Sequence, residues 1–561
     1  MGIQPIIFAA VEPRLSSPPG PANVRTLPFW DLPSSLHISS RTAWSSLCHR
    51  IRLQHIITLA TTAREKTIAV SHGSTEKASK MQMRIKEIFN QVDQRMPKVT
   101  FSHQDNTTSA KHSKVFLKNP TKRYCVGDLL TVQVDAYDYL GKRKSYGGDY
   151  LRARISNSDI RSGASGRIKD FSNGTYDIYF TLFWEGKVVV TVSLMHPSEG
   201  VSALWRSRNS WYGNVDYLGK FTSPDKQVET KCGFDLKEKD LCEYKDERDE
   251  EYFYCVKPRN FSCDSYTEFK SWKTLRSQLS TLENSLLVRS NVRREIPNNF
   301  EALNVFHCNS SSSETKEKCK TGMKLEYPSG YVMKEIWYPK LCSMKTYHNM
   351  EELNTCMKGK FFYLFGDSTM HQWMTYFENN IKTLRLLNVY EEGWAQKHLG
   401  VDIERNIHVL WKRHGRPFIN LVFVSNREER SIPREIDLIG GNQYTVIALN
   451  IGVHFRLFPV HHFIRRLLNI RRALERLFLR SPETKVIIKT ENTSEMGNEY
   501  EGMSDFHASV HFLIMEIVLK DLNVGFINGW DMTTAWNTNA IHPAEHYVRN
   551  EVNMLMTYIC I

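Results

Sequence analysis

The sequence predicts a multidomain protein in which an antiparallel β-sandwich precedes an α/β domain. Short β-branched and aromatic runs separated by turn residues occupy the region from about Cys125 to Phe221, which is typical of an immunoglobulin-like sandwich. From Lys360 onward, short apolar runs alternate with helical patterns, which indicates a parallel sheet covered on both faces. The chain has 561 residues, enough for about three domains, and we expect a cysteine-rich connector between these two.

The composition excludes several classes of protein. Apolar residues make up 41% and charged residues 24% of the chain, which is ordinary for globular proteins and excludes wholesale disorder. The net charge of +13 is moderate and spread along the chain, which favours anionic partners without indicating nucleic acid, and we expect no nucleic-acid partner. Since no stretch approaches the roughly 18 apolar residues that a spanning helix needs, we also expect no transmembrane span. The absence of a Cys-x-x-Cys pair argues against a zinc ribbon, and we predict no metal site.

The elements of the β-rich region follow from local patterns. A short helical pattern at Met83–Val92 precedes it, and Thr131–Tyr137 alternates as a half-buried strand does. The β-branched and aromatic runs Tyr176–Leu182 and Lys187–Leu194 lie on either side of Gly186. We therefore predict a β-hairpin with this glycine at its turn.

In the α/β region, five apolar runs are short enough to be buried strands and three segments have helical periodicity. The predicted strands are Phe361–Phe365, Leu421–Val424, Thr445–Leu449, Lys485–Ile488 and Val524–Ile527, and the predicted helices are Met370–Phe377, His461–Leu479 and Ala508–Leu522. Ligands of such sheets bind beyond the carboxyl ends of the strands.

These patterns divide the chain into four segments. They are a leader at 1–80, a β-sandwich at 83–230, a cysteine-rich connector at 231–356 and an α/β domain at 357–561. The leader is rich in Pro and Ser and has no recognisable signal peptide. We interpret it as a disordered or atypical leader, and we favour a mispredicted first exon over export without a standard signal.

Cysteines and glycosylation sequons indicate an oxidising compartment. Seven of the eleven cysteines lie between Cys232 and Cys342, in polar sequence that favours a disulfide framework over free thiols. Leaving out Cys48, the number is an even ten. Five Asn-x-Ser/Thr sequons are candidate glycosylation sites: Asn106, Asn173, Asn260, Asn309 and Asn492. Together they predict the secretory lumen or the outside of the cell.

A candidate nucleophile follows the first strand of the α/β region. The strand ends in Gly366-Asp367-Ser368, and helical sequence comes directly after it. Gly366 permits a sharp turn that places Ser368 at the helix amino terminus, where amide groups can hold a developing oxyanion. Asp367 is expected to brace this turn. Without its context, however, Gly-Asp-Ser is common in loops.

A serine nucleophile needs a base from elsewhere at the same edge of the sheet. The best candidate is His542, which lies just before Pro543 in a loop near the carboxyl terminus; the alternative is an incidental histidine in a helix-capping loop. Asn450 and Gly452 follow a central strand. Asn450 is a candidate oxyanion donor and Gly452 leaves the backbone approachable, whereas the alternative for this segment is a simple turn.

The motifs together resemble a known family. Gly-Asp-Ser, the Asn450–Gly452 segment and His542 are similar to the PC-esterase branch of the SGNH (GDSL-like) hydrolases. Upstream, Tyr146–Arg154 and His196–Trp205 resemble a neurexophilin-like module. Over about Met83 to Ile561 the chain therefore resembles the neurexophilin and PC-esterase domain (NXPE) family.

This resemblance implies a neurexophilin-like β-sandwich followed by a three-layer α/β/α SGNH-like domain. It implies a secreted or Golgi-lumenal protein that transfers or removes O-acetyl groups on glycans, with sialic acid among the acceptors and a sialoglycoprotein as substrate. Ser368 would be the nucleophile and His542 the base. No bound cofactor is implied, and acetyl-CoA is a candidate acyl donor by analogy with transferase relatives.

The chain departs from the family motif at one position. The aspartate of the family's Asp-x-x-His falls on Asn539, which cannot stabilise an imidazolium as a carboxylate does. Either the Asn539 carbonyl orients His542, or Asp531 does so, or activity is lost. The alternative function is a non-catalytic secreted ligand whose β-sandwich binds a cell-surface receptor.

Overall fold

The computed structural model describes residues 74–560 except 213, 275, 289, 309–315, 348, 388–397, 427–428 and 495–499, with side chains from residue 80. The predicted leader at 1–80, with Cys48, thus lies almost entirely outside the described residues. The described residues belong to one compact unit.

The strands are numbered in chain order. They are β1 (Lys114–Leu117), β2 (Tyr124–Cys125), β3 (Leu129–Asp135), β4 (Tyr150–Asn157), β5 (Ser162–Ser165), β6 (Arg167–Asp170), β7 (Thr175–Thr181), β8 (Gly186–His196), β9 (Val215–Thr222), β10 (Gln227–Gly233), β11 (Leu241–Asp246), β12 (Glu251–Val256), β13 (Tyr266–Lys273), β14 (Arg294–Glu295), β15 (Leu303–Phe306), β16 (Gly330–Met333), β17 (Ile336–Pro339), β18 (Phe361–Gly366), β19 (Arg385–Leu387), β20 (His398–Asp402), β21 (Ile407–Arg413), β22 (Asn420–Ser425), β23 (Thr445–Leu449), β24 (Lys485–Lys489) and β25 (Gly525–Ile527).

The α-helices are numbered in the same way. They are α1 (Ser74–Asp93), α2 (Ser198–Ser210), α3 (Thr281–Ser285), α4 (Met350–Met357), α5 (Ser368–Asn380), α6 (Ile432–Leu438), α7 (Val460–Arg480), α8 (Tyr500–Met503), α9 (Asp505–Val518), α10 (Gly529–Trp536) and α11 (Glu545–Ile559). No helix among the described residues is long and apolar enough to cross a membrane.

Two sheets pack face to face in the amino-terminal half. One has the strand order β1-β3-β7-β6, and the other has the order β17-β16-β5-β4-β8-β15-β2 with β14 beside β8. Alternate side chains of β3 and β7, such as Val132 and Ile178, share a buried core with Ile155 and Val190 of the facing sheet. This alternation is the period-two pattern of strands with one buried face.

The predicted hairpin around Gly186 is wrong. β7 pairs with β3 and β6, whereas β8 pairs with β4, so the two strands lie in different sheets. Both strands bury one face in the common core, which they do by facing each other across it rather than by lying side by side. The connecting residue Trp184 is only 3% exposed and fills that core.

A third sheet joins the two halves of the chain. Its order is β11-β12-β10-β9-β13-β22. The strands β11 to β13 lie in the predicted connector at 231–356, whereas β9 and most of β10 lie in the segment predicted to belong to the β-sandwich. Conversely, β14 to β17 of the connector pair with the β-sandwich. The segment Leu421–Val424, predicted as a buried strand of the parallel sheet, belongs to β22 and pairs with β13 instead. In this edge strand Leu421 and Val422 are 75% and 57% exposed, whereas Val424 is buried.

The disulfide framework is confirmed for the ten cysteines after Cys48. The bonded pairs are Cys125–Cys308, Cys232–Cys255, Cys242–Cys263, Cys319–Cys342 and Cys356–Cys560. Disulfides in this number are typical of secreted or lumenal proteins.

The predicted nucleophile follows a strand of the fourth sheet. The order of this sheet is β19-β20-β21-β18-β23-β24-β25, and the five strands from β21 to β25 in this order run parallel. Along β18, Phe362 and Leu364 face a core with α5 and α11, while Phe365 faces a core with α7 and α9. Helices therefore cover both faces of the sheet.

Sequence patterns missed the strand β21, which lies beside β18. Its last two residues, Lys412 and Arg413, are charged but buried. Each forms an ion pair, Lys412 with Glu435 at 2.7 Å and Arg413 with Glu429 at 2.9 Å. Buried charges are stable only when they are paired, and such pairing cannot be read from the strand itself.

Candidate active site

The turn after β18 places Ser368 at the first position of α5. Asp367 is the residue before this helix, and its Oδ1 accepts hydrogen bonds from the Thr369 amide at 2.9 Å and hydroxyl at 2.7 Å. A Cβ on Gly366 would lie 2.7 Å from the Met370 Cβ and 3.0 Å from the Asn450 carbonyl oxygen, so only glycine fits there. Ser368 is half-buried at the carboxyl end of the sheet.

Ser368 and His542, which are 174 positions apart in sequence, are brought together. The Ser368 Oγ lies 2.7 Å from the His542 Nε2. His542 is exposed, so the pair opens to the surface. With Nε2 unprotonated, the hydroxyl donates to it, and this is the arrangement that a general base needs in order to take the serine proton.

Two amide side chains hold the backbone on either side of His542. Asn492 Nδ2 donates to the Ile541 carbonyl at 3.0 Å, and Gln372 Nε2 donates to the Pro543 carbonyl at 3.0 Å. The first comes from the segment after β24, and the second comes from α5, one turn beyond Ser368. The segment that carries the imidazole is therefore held against the serine's own helix.

The assignment of Asn492 as a glycosylation site is wrong. This residue is 1% exposed, and its Oδ1 accepts from Lys489 Nζ at 3.1 Å while its amide nitrogen bonds Ile541, so the folded chain has no room for a glycan there. Three other sequon asparagines are exposed, namely Asn106, Asn173 and Asn260, and Asn309 lies outside the described residues.

A buried ion pair lies beneath the turn. Lys489 Nζ is 3.2 Å from Glu551 Oε1, and both side chains are fully buried. Trp373 donates its indole N–H to the other Glu551 oxygen at 2.7 Å. The pKa of Glu551 is raised by burial, and the charge of Lys489 offsets only part of this increase. Through Asn492, this pair also supports the His542 segment.

The electrostatic surroundings favour a neutral His542. Although one side of the residue is exposed, burial of the rest of the ring lowers the pKa of His542. Asp367 acts in the opposite direction, and the charge of Lys489 lowers the pKa further. A lowered pKa keeps the imidazole unprotonated, and hence able to accept a proton, at neutral pH.

Asn450 and Gly452 lie close to the turn but are engaged by protein groups. Asn450 is 1% exposed, and with its amide nitrogen facing the Asp367 carboxylate it donates to Oδ2 at 2.8 Å. A Cβ on Gly452 would lie 2.2 Å from Glu491 Oε1, so this glycine allows close packing against Glu491. By contrast, the Ser368 amide has no hydrogen-bond partner among the described residues and is available to an oxyanion.

Neither residue expected to orient His542 does so. Asn539 Oδ1 accepts from Arg152 Nη1 at 2.9 Å. Both carboxylate oxygens of Asp531 are bound by serine hydroxyls, those of Ser165 and Ser329. Within the described part of the chain, no hydrogen bond joins either side chain to His542, because tertiary contacts with the β-sandwich direct both away from it.

Sequence reasoning missed the residues that hold the His542 segment. The polar run Thr490–Thr493 directly follows β24 at the same edge of the sheet as Ser368, and this position would have indicated a site role for Asn492. Gln372 lies four residues after Ser368 on the same helix face, and this spacing is also visible in the sequence. No local pattern marks Arg152, because it lies on a strand of the β-sandwich.

Comparison with known families agrees with this arrangement. A family model described as Neurexophilin matches residues 91–274, which include most of the β-sandwich and the third sheet up to β13. A model described as NXPE family member 4-like, C-terminal domain, matches residues 337–560, which include Ser368 and His542. The two matches occur in the order that the family has, and the chain belongs to the NXPE family.

Proposed function

We propose that the protein is a serine-dependent glycan O-acetyltransferase or acetylesterase of the secretory pathway, in the Golgi lumen or secreted. The observation that supports this most directly is the 2.7 Å contact between Ser368 Oγ and His542 Nε2 at the carboxyl edge of a parallel sheet. The proposal includes an SGNH-like α/β/α layout for this domain and an immunoglobulin-like one for the β-sandwich.

The proposed chemistry proceeds through an acyl-serine. His542 Nε2 takes the hydroxyl proton as Ser368 Oγ attacks the acetyl carbonyl carbon, and the Ser368 amide stabilises the resulting oxyanion. The intermediate collapses when the leaving group departs with the proton from His542. A glycan hydroxyl, or water in an esterase, then gives its proton to His542 and attacks the acetyl-serine carbonyl carbon. The bond from this carbon to Ser368 Oγ breaks, and the serine oxygen takes the proton back from His542, which releases the acetylated glycan or acetate. We propose acetyl-CoA as the donor and a sialylated glycan as the acceptor.

A fluorophosphonate probe tests this proposal. We expect the folded wild-type chain to be labelled at Ser368 and Ser368→Ala to be unlabelled. Ser509→Ala is the matched control. Like Ser368, Ser509 is a half-buried serine in a helix, but its hydroxyl donates to a backbone carbonyl and not to a histidine. Acetyl transfer from acetyl-CoA to a sialylated glycan, followed by mass spectrometry, tests the substrates. A folded wild-type chain that is not labelled would contradict the proposal.

One observation favours a second candidate function. No carboxylate is hydrogen-bonded to His542 among the described residues, so the arrangement is a dyad, and the amino-terminal part matches neurexophilin. A secreted ligand that binds a cell-surface receptor through the β-sandwich would need no catalysis. Unlabelled wild type that still binds cells, with binding retained in Ser368→Ala, would favour this function.

A further inference from the structure

We propose, on the basis of the function proposed above, that the β-sandwich positions the catalytic histidine through Arg152. Asn539 is then the residue that attaches the His542 segment to the β-sandwich, rather than the third member of a catalytic triad. The dyad would thus depend on a domain that contributes no atom to the reaction.

The contact between Arg152 and Asn539 is well ordered by its surroundings. Arg152 extends from β4, and its side chain is only 10% exposed. While Nη1 donates to Asn539, Nη2 pairs with Asp505, whose other carboxylate oxygen accepts from the Ser494 amide at 2.9 Å. The guanidinium also lies 5.6 Å from the Trp530 ring centre. Contacts with Asp505 and Trp530 therefore fix the Arg152 guanidinium in the position from which it donates to Asn539.

The β-sandwich packs directly against the chain that leads to His542. Arg154, two residues along β4, donates to the Ala535 carbonyl at 3.0 Å. A Cβ on Gly163 of β5 would lie 2.1 Å from that same carbonyl oxygen. Backbone thus meets backbone at the end of α10, and displacement of the β-sandwich would displace the segment that follows.

Asn539 supplies an acceptor for Arg152 that an amide or a carboxylate can provide. Asp505 pairs with Arg152 and also lies 3.6 Å from Arg456, so its carboxylate is shared between the two arginines. The Asn539 amide oxygen accepts the hydrogen bond from Arg152 Nη1. We therefore expect an aspartate at 539 to pair with Arg152 and not to orient His542.

The test compares five variants of the full chain, namely four single variants and the double variant Asn539→Ala/Arg152→Lys. Asn539→Ala removes the acceptor and leaves the Arg152–Asp505 pair intact, while Arg152→Lys keeps the charge and removes the fork of donors. Asn539→Asp keeps the acceptor. Arg161→Lys is the control, since Arg161 is an exposed arginine of the β-sandwich that pairs with Glu335 of the same sandwich. The readouts are the fluorophosphonate labelling rate, kcat and KM for acetyl transfer, and amide exchange in residues 537–544.

We expect Asn539→Ala and Arg152→Lys each to slow labelling by about 10- to 100-fold, as for a misplacement of about 1 Å, by lowering kcat and not by raising KM. Exchange in 537–544 should rise in both, and the double variant should be no worse than the worse single variant. Asn539→Asp should retain the rate and exchange of wild type, and Arg161→Lys should resemble wild type.

Two results would overturn the inference. One is native labelling and native exchange in both Asn539→Ala and Arg152→Lys. The other is a rate gain approaching about 10⁴-fold in Asn539→Asp, which a newly completed triad would produce. If wild type itself is not labelled, the proposed function fails, and the exchange data alone then decide whether Arg152 holds the segment.

Discussion

The turn that carries Ser368 is braced by neighbours in sequence and by Asn450, whereas the segment that carries His542 is held by distant parts of the chain alone. Asp367 and Thr369, which brace the turn, are two positions apart. The contacts to the His542 segment span 49 positions from Asn492, 171 from Gln372 and 387 from Arg152. The serine is therefore placed by local conformation with one contact from the neighbouring strand end at Asn450, and the histidine is placed by packing of distant parts of the unit.

This difference indicates which mutations should affect Ser368 and which should affect His542. A change at the turn acts directly on Ser368 and on the start of α5. By the inference above, a change at Arg152 in the β-sandwich should act on His542 through its segment, since Arg152 contacts Asn539. The two halves of the dyad can therefore be disturbed separately.

The largest effect is expected when the histidine side is removed altogether. His542→Ala should lower the labelling rate of Ser368 by roughly 10³- to 10⁶-fold, because an unactivated hydroxyl is a poor nucleophile. The measurement is the rate of fluorophosphonate labelling. His546→Ala, at an exposed histidine four positions later, should label like wild type. Equal labelling rates of the two variants would contradict the prediction, because they would show that His542 does not activate Ser368.

The next effect is a change at the turn. Gly366→Ala should destabilise the chain by about 1–3 kcal/mol, because the added methyl group meets Met370 and the Asn450 backbone. If the turn relaxes by about 1 Å, labelling should also fall by about 100-fold. Denaturant unfolding and labelling measure the two effects.

The control for this variant is Gly440→Ala, where a Cβ meets nothing within 4 Å. It should change neither stability nor labelling appreciably. A fully native Gly366→Ala protein would show that the turn tolerates a side chain and that local conformation does not place Ser368.

A smaller effect is expected when one anchor of the His542 segment is lost. Gln372→Ala removes the hydrogen bond to the Pro543 carbonyl and leaves Asn492 in place, so labelling should fall by about 10-fold with unchanged thermal stability. Asn379→Ala, at an exposed position of the same helix, is the control. Unchanged labelling of Gln372→Ala would show that the other anchors suffice.

The smallest effect concerns pH. Because burial and Lys489 lower the pKa of His542, the imidazole stays neutral to a lower pH than an ordinary histidine does. The labelling rate should therefore fall on acidification with a midpoint below about 6.5, the usual value for histidine. A pH series of labelling rates measures this midpoint, and a midpoint above 6.5 would contradict the described surroundings of His542.

The sequence by itself determined the local features of this protein. Alternation of strands and helices after Lys360, a sharp turn at Gly366 with Ser368 directly after it, and an even set of ten cysteines can all be read from neighbouring residues. Each depends on backbone conformation or composition over a few positions, where short-range preferences are strong.

Only the tertiary structure decided which segments meet. Local patterns predicted a strand at 421–424 and two strands around Gly186, but the partners of these strands depend on which faces are buried. In the same way, Asn492 lies in a sequon, but in the folded chain its side chain is buried against Lys489. Asn539 contacts Arg152 instead of His542. The reason is physical: pairing energy comes from groups far apart in sequence, and a single segment carries no record of its partner.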